Sequence, residues 1–386
     1  MPDTNPQNIA HSGAPPFERL AHALVSDRGR ALISFAGCNY LGLAQDPQVV
    51  EAAHDALDRY GLSTSASRQT SGNTHEHNAL EDELASFLGF EGALLTPDGY
   101  TANLAAAQAL VRDHQIALLD ERAHQSLHDA ARCAGMAIET YPHLDHAAAR
   151  PLLASLADRG VVIMTDSVFA TDAALAPIAE LLEAMPETGA TLLVDDCHGF
   201  CVLGRSGRGT LDALGIRDPR IRLTTTLAKG LGCSGGVVCG RRNWTESART
   251  SASAAVCTTP APPPSIAAAR CALRLIQDDP LRFERLNRNI ELLRSALQSV
   301  GFDPHDRPVP VFAVWMQTPD ETRALASALA DRGLFVPASE YPGGPTSVYL
   351  RISVTAEHTP EQILRLSDAL SELLAQAQTG AQPQSA

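Results

Sequence analysis

The sequence predicts an α/β protein: a large domain with a mainly parallel sheet flanked by helices, plus a smaller C-terminal α/β domain. Short apolar runs alternate with helical patterns through the middle of the chain, the signature of a parallel sheet covered on both faces. A Pro-rich break, TTPAPPPS (258–265), ends that alternation, and a shorter strand-helix series resumes after Gly301. The 386 residues, 45% apolar and 19% charged, can bury a sizeable core. The expected organisation is an N-terminal segment (1–45), a large domain (46–275), a small domain (276–376) and a disordered tail (377–386).

The elements follow in order. Leu80, Leu84, Phe87 and Leu88 fall at helical spacing over 77–87, and Gly89 is placed to cap that helix. GALLT (92–96) reads as a strand, and a turn at Pro97-Asp98-Gly99 leads into a helix over 100–111. IALLD, AIETY, VVIMTD and TLLVDD read as further buried strands, and IRLTTT as another strand-like run. One long helical stretch is expected over 266–300. The small domain should hold strands at VPVFAVWM, LFVPA and VYLRISV, with helices over 321–332 and 360–375. In such sheets ligands bind at the carboxyl ends of the strands, so the loops after each strand are where chemistry is sought.

Composition excludes several function classes. The net charge of -14 argues against a surface built to neutralise phosphate backbones, so nucleic acid is not an expected partner. No apolar run approaches the roughly 18 to 20 residues that cross a bilayer, and the N-terminus shows neither a basic start nor an apolar stretch. A soluble, cytoplasmic protein without a membrane span is the expectation. The 8 cysteines have no paired spacing and read as reduced, buried thiols.

Every basic residue is Arg except one, Lys229. Guanidinium stays protonated and forms no Schiff base, so a single retained amine is a candidate for covalent chemistry, although a lone Lys could equally stand anywhere on the surface. Lys229 follows a strand-like run and sits between Ala228 and Gly230 in LTTTLAKGLGCSGG, where small residues let a planar group approach the backbone. TLLVDDCHGF ends a buried strand in Asp195, Asp196, Cys197 and His198. A desolvated strand-end Asp needs a cationic partner, and the plain reading is an ion pair with an Arg together with a helix-capping role for the second Asp. Asp98, Gly99 and Tyr100 open a helix whose amides and dipole suit a phosphate, provided Asp98 caps the helix and turns its charge away. His124 and His128 are four apart but have no third ligand at hand, and HEHN (75–78) lacks zinc-protease spacing, so no metal site is expected. A lone amine, a strand-end Asp and a phosphate-ready helix start together describe pyridoxal phosphate (PLP), with the amine condensing on its aldehyde and the Asp keeping its pyridine nitrogen protonated.

The motifs NYLGL (39–43), SRQTSGNTHEHNALEDELA (67–85), DGYTAN (98–103), DERAHQSL (120–127), DSVFATDAALAP (166–177), VDDCHGFCVLGRSGRG (194–209), TLAKGLGCSGG (226–236), CTTPAPPP (257–264) and LRISVTAEHT (350–359) run in order over nearly the whole chain. In them the sequence resembles the PLP-dependent α-oxoamine synthases of fold type I, a family that includes 8-amino-7-oxononanoate synthase, 2-amino-3-ketobutyrate CoA ligase, 5-aminolevulinate synthase and serine palmitoyltransferase. The resemblance implies a fold type I PLP-dependent transferase. It makes Lys229 the Schiff-base lysine, Asp195 the pyridine-nitrogen partner, His198 the partner of the phenolic oxygen and His124 the ring-stacking residue. Asp98, Gly99, Tyr100 and Thr226 would lie by the phosphate, with Thr258 or Thr259 reaching it from the second chain of a homodimer. Asn39 and Arg351 would hold the amino acid carboxylate, a task that suits the guanidinium fork.

The implied reaction condenses an amino acid with an acyl thioester, on CoA or an acyl carrier protein, and loses carbon dioxide to give an α-amino ketone. An aminotransferase or lyase of the same fold is the rival reading, and the His three residues after Asp195 disfavours it. A catalytically idle binding subunit is the other, disfavoured because Lys229, Asp195 and His198 are all present. Three departures from the family pattern stand out. Ala170-Thr171-Asp172-Ala173-Ala174 lacks an expected serine, Tyr341-Pro342-Gly343-Gly344-Pro345 replaces a Pro-Thr-Val-Pro segment, and Asp98 stands where a small hydroxyl or thiol residue is common. DSVF and LAK lean toward the autoinducer synthases that make long-chain amino ketones.

Overall fold

The structure, a computed structural model, describes residues 17–20, 23–340 and 346–380. Strands β1 (Glu18–Arg19), β2 (Leu24–Asp27) and β3 (Arg30–Ser34) come first, followed by helices α1 (Pro47–Tyr60) and α2 (His75–Leu88). Seven strands then build the central sheet: β4 (Gly92–Thr96), β5 (Ile116–Asp120), β6 (Ala137–Tyr141), β7 (Val161–Asp166), β8 (Ala190–Asp195), β9 (Ile221–Thr226) and β10 (Gly236–Gly240). Their connections carry α3 (Gly99–Leu110), α4 (Gln125–Ala134), α5 (His146–Leu156), α6 (Ile178–Ala184) and α7 (Thr210–Ala213). Helices α8 (Arg242–Ser251), α9 (Ser253–Val256), α10 (Pro263–Asp278) and α11 (Leu281–Ser299) lead to the small domain. That domain holds β11 (Val311–Val314), α12 (Pro319–Asp331), β12 (Leu334–Phe335), β13 (Ala338–Glu340), β14 (Val348–Ser353) and α13 (Pro360–Gly380).

The central sheet has the order β4-β10-β9-β8-β7-β5-β6, and β10 alone runs antiparallel to its neighbours. Alternate residues feed two separate cores. Ile116, Leu118, Val161, Ile163, Leu192 and Val194 face one, while Ala117, Leu119, Val162, Met164 and Leu193 face the other beneath α3 and α4. Each fully buried Leu or Ile contributes about 1.5–3 kcal/mol of apolar burial, which explains why these strands read as continuous apolar runs. The antiparallel β10 brings its first residue, Gly236, level with Thr96 and Thr226 at the carboxyl ends of β4 and β9.

Four sequence expectations need correction. AIETY is an edge strand, mostly solvent-facing apart from Tyr141, rather than a buried one. The long helix over 266–300 is two helices, because Pro280 disfavours helical geometry at Asp279, which sits at φ -119 and ψ 85. Only Cys201 and Cys239 are buried; all eight cysteines are free thiols, and Cys133 and Cys257 are exposed. The Gly-rich stretch after Lys229 passes directly into β10, a strand the sequence reading did not place.

The final helix runs on to Gly380, while 381–386, the rest of the expected disordered tail, lie outside the described residues, as does the 341–345 segment. Strand β3 pairs in parallel with β12 in a four-stranded sheet β1-β2-β3-β12. Among the described residues no helix is long and apolar enough to cross a membrane.

Candidate active site

Lys229 sits on a tight turn after β9. The turn is closed by the Gly232 amide on Lys229 O (3.0 Å) and the Cys233 amide on Leu227 O (2.9 Å). A Cβ on Gly230 would lie 2.2 Å from Cys201 Cβ, and one on Gly232, at φ 67, would lie 2.5 Å from the Ala44 amide nitrogen. Glycine is required at both positions for the turn to pack this closely, and that packing aims the lysine inward. Lys229 Nζ then lies 2.8 Å from His198 Nε2. His198 Nδ1 lies 2.8 Å from the Tyr40 hydroxyl, so both ring nitrogens are engaged. Burial, reinforced by the nearby Lys229, Arg351 and His124, pushes the His198 pKa well down and keeps the ring neutral.

Asp195 ends β8, is 4% exposed and, among the described residues, has no cationic partner at hydrogen-bond distance. Its charge is met by donors instead: Asn103 Nδ2 at 2.7 Å from Oδ2 and the Cys197 amide at 2.9 Å from Oδ1. Asn103, within α3, also donates to Ser126 Oγ (2.8 Å) and accepts from the Thr224 hydroxyl (2.5 Å). Ser126 Oγ in turn lies 2.7 Å from His124 Nδ1, so a connected chain runs from His124 through Ser126 and Asn103 to Asp195. His124 is the N-cap of α4, and its own amide donates to Asp166 Oδ2 at 2.7 Å. Burial, and then the adjacent Asp195, push the Asp166 carboxyl well up, which keeps a second negative charge out of the strand ends. Burial also lowers the His124 pKa.

Asp98 caps α3, its Oδ1 accepting from the Thr101 amide at 2.7 Å, so its charge is turned onto the helix as the sequence reading required. The amides of Gly99 and Tyr100 belong to the first turn, where intrahelical partners do not exist. A Cβ on Gly99 would meet Thr226 Cβ at 3.0 Å and Cys197 Sγ at 3.3 Å, so the helix start, β9 and the residue just before His198 converge. The Tyr100 side chain points elsewhere, its hydroxyl donating to Asp129 Oδ2 at 2.5 Å on the exposed surface. Thr226 is buried, donating to Gly235 O (3.2 Å) and accepting from the Ala228 amide (3.1 Å).

Arg351 lies on β14 with Nη1 donating to Ser353 Oγ (2.9 Å) and Nη2 3.7 Å from Cys38 Sγ, next to Asn39. Asn39 accepts from the Ala44 amide at 3.2 Å. Thr258 donates to Ala254 O (2.8 Å) and Thr259 is exposed, so within one chain neither joins the Lys229 cluster.

Sequence reasoning assigned no role to Tyr40, Asn103, Ser126, Thr224 or Asp166. Asn103 carried a usable signal, an amide within an Ala-rich helix whose neighbours are apolar. Tyr40 carried none, because an aromatic residue in an apolar run reads as core.

The aminotransferase class I and II family matches residues 30–370. The chain is 35% identical over 348 residues to the 8-amino-7-oxononanoate synthase of Cellvibrio japonicus, covering 90% of this chain and 87% of that one. It is 38% identical over 364 residues to the 8-amino-7-oxononanoate synthase of Halorhodospira halophila, covering 92% and 89%. Its fold superposes with a TM-score of 0.89 on a serine palmitoyltransferase from S. paucimobilis with bound PLP-myriocin aldimine, at 26% identity and covering 94% and 92% of the two chains. A match across most of the chain, together with one lysine beside a buried imidazole and a donor-held strand-end aspartate, identifies the protein as a member of the aminotransferase class I and II family, in its PLP-dependent α-oxoamine synthase branch.

Proposed function

We propose that this enzyme condenses a small amino acid with an acyl thioester and releases carbon dioxide and the thiol, giving an α-amino ketone in the manner of 8-amino-7-oxononanoate synthase. The observation that carries the reading is the placement of the chain's single lysine 2.8 Å from a buried, neutral histidine, three residues beyond the donor-held Asp195.

The residues present fit PLP. Gly99 leaves room that a Cβ would fill against Thr226 and Cys197, the α3 amides face that space, and Asp195 offers a buried carboxylate suited to a protonated ring nitrogen. PLP, when bound, supplies an electron sink for the carbon next to the amino group. Lys229 would hold it, His198 would face its phenolic oxygen, His124 its ring, and Asp98, Gly99, Tyr100 and Thr226 its phosphate, Asp98 and Tyr100 through backbone alone.

Arg351 and Asn39 would receive the amino acid carboxylate, and Lys229 Nζ, freed by the incoming amine, would take the α-proton. The carbon so exposed bonds to the acyl carbonyl, the thiol leaves, and the resulting β-keto acid loses carbon dioxide. A neutral His198 beside Lys229 Nζ adds no further charge next to that proton.

A homodimer belongs to this reading, with Thr258 or Thr259 of one chain completing the phosphate site of the other. The acyl donor is a CoA or carrier-protein thioester.

The test is the visible spectrum of the PLP-reconstituted protein with glycine, alanine or serine, followed by a free-thiol assay across an acyl-CoA series. A band that changes with one amino acid, followed by thiol release with one thioester, supports the reading. A coloured protein that releases no thiol from acyl-CoA or acyl carrier protein, and transfers its amino group to a keto acid, overturns it in favour of an aminotransferase.

A further inference from the structure

The Tyr40 hydroxyl reaches the far side of the imidazole that faces Lys229, and no role has been assigned to it. Tyr40 is fully buried, and burial pushes its phenol well up, so it remains a neutral O–H able to donate. His198 is neutral and therefore carries one ring proton, which must sit on one nitrogen or the other. On one side stands Tyr40 Oη at 2.8 Å from Nδ1, and on the other Lys229 Nζ at 2.8 Å from Nε2. A lysine nitrogen that holds the cofactor has no proton to spare for Nε2, so the imidazole must be the donor on that side, and Nδ1 must accept.

The position of Tyr40 is set from the small domain. The Ala356 amide donates to Tyr40 O at 2.8 Å, the Ser353 amide to Phe35 O at 2.8 Å, and Arg351 Nη2 lies 3.7 Å from Cys38 Sγ. Residues 35–40 are thus stitched to the strand that carries Arg351, while the Tyr40 hydroxyl crosses into the large-domain site.

We propose that Tyr40 is a positioning residue: its hydroxyl donates to His198 Nδ1, which leaves the ring proton on Nε2 aimed at the cofactor, and its backbone links that imidazole to the Arg351 strand. This rests on the PLP reading above. The charged and titratable groups facing the imidazole are Lys229, Arg351, His124 and Tyr40 itself.

The experiment compares reconstituted wild type, Tyr40→Phe, His198→Gln and the double variant by spectrophotometric titration of the visible band. Tyr40→Phe should keep the band and raise its pH midpoint by roughly one unit, because the donor to the phenolic oxygen is no longer fixed. In the His198→Gln background the same change should be silent, since its only route is through the imidazole. An unmoved midpoint, or an equal shift in both backgrounds, overturns the proposal while leaving the cofactor reading intact. A wild-type protein that develops no band with PLP fails the cofactor reading, and the proposal with it. Should Tyr40→Phe not fold, a long-range proton-nitrogen NMR spectrum of histidine-labelled wild-type holoenzyme decides, with His198 identified by its loss in His198→Gln. A neutral ring protonated on Nε2 is expected, and a proton on Nδ1, or on both nitrogens, overturns the assignment.

Discussion

Asp196 follows Asp195 directly and has a different task. Its Oδ1 accepts from the Ser167 hydroxyl (2.5 Å) and the Thr210 hydroxyl (2.6 Å), and Oδ2 from the Thr210 amide (3.1 Å). Gly199 and Gly209 close the cage, since a Cβ on either would lie 2.1 Å from an Asp196 oxygen. Burial pushes this carboxyl up to about 6 against that hydrogen bonding. The folded chain therefore holds the proton more tightly than the unfolded chain, and stability falls as pH rises from about 4 to about 6, by about 3 kcal/mol for this group. Urea unfolding at pH 4.5 and 7 should show wild type losing ground to Asp196→Asn at the higher pH, and parallel behaviour of the two would refute the assignment.

At the reacting centre, Lys229→Ala should abolish both the visible band and turnover, and Asp195→Asn should keep PLP but lose most activity. Asn103→Ala should lower kcat by about 10 to 100-fold through misplacement of Asp195, read by steady-state kinetics at saturating PLP. Lys229, Asp195 and His198 were legible because chemistry restricts those residue types. Tyr40 and Asn103 were not, because a buried phenol or amide acquires meaning only from a partner far along the chain.

Among the elements, the connection between β14 and α13 is held by His358. Its Nδ1 receives the Thr355 amide (3.1 Å), and its Nε2 lies 3.1 Å from Ser34 O on β3. Burial pushes its pKa down to about 4, so the unfolded chain binds the proton more readily between about 4 and 6.5. Its contribution is complete above pH 6.5 and is lost as pH falls toward 4, about 3 kcal/mol in all. Denaturant midpoints of wild type should drop over this interval more steeply than those of His358→Gln, and equal slopes would remove His358 as the cause.

Gly236→Ala would place its Cβ 2.0 Å from Asp98 O, so the variant should lose PLP affinity and melt lower, as seen by thermal unfolding with and without PLP. The parallel strands were legible because both their faces are buried, giving unbroken apolar runs. Strand β10 was not, since its flanking glycines read as loop, and neither was the break at Pro280, which interrupts an otherwise regular apolar spacing.

For the whole molecule, the site is expected to draw on two chains. Mixing inactive Lys229→Ala chains with chains carrying both Thr258→Ala and Thr259→Ala should restore up to about a quarter of wild-type activity at limiting PLP, because in a hybrid dimer both defects fall in one site. No recovery in verified hybrids would return both threonines to their own chain.

The pairing of β3 with β12 bears on how this protein is made. Ile33 pairs with Leu334, so while β2 covers one edge of the strand that leads to Phe35 and Tyr40, its other edge has no partner until nearly the entire chain has left the ribosome. At typical synthesis rates of about 5–20 residues per second that wait lasts on the order of 15 to 60 seconds. Throughout it an apolar strand edge stands open to wrong partners. The arm that carries Tyr40 is made first, but the strands that hold it in place, with Leu334, Ser353 and Ala356, are made last, so the imidazole's support is completed only at the end of synthesis.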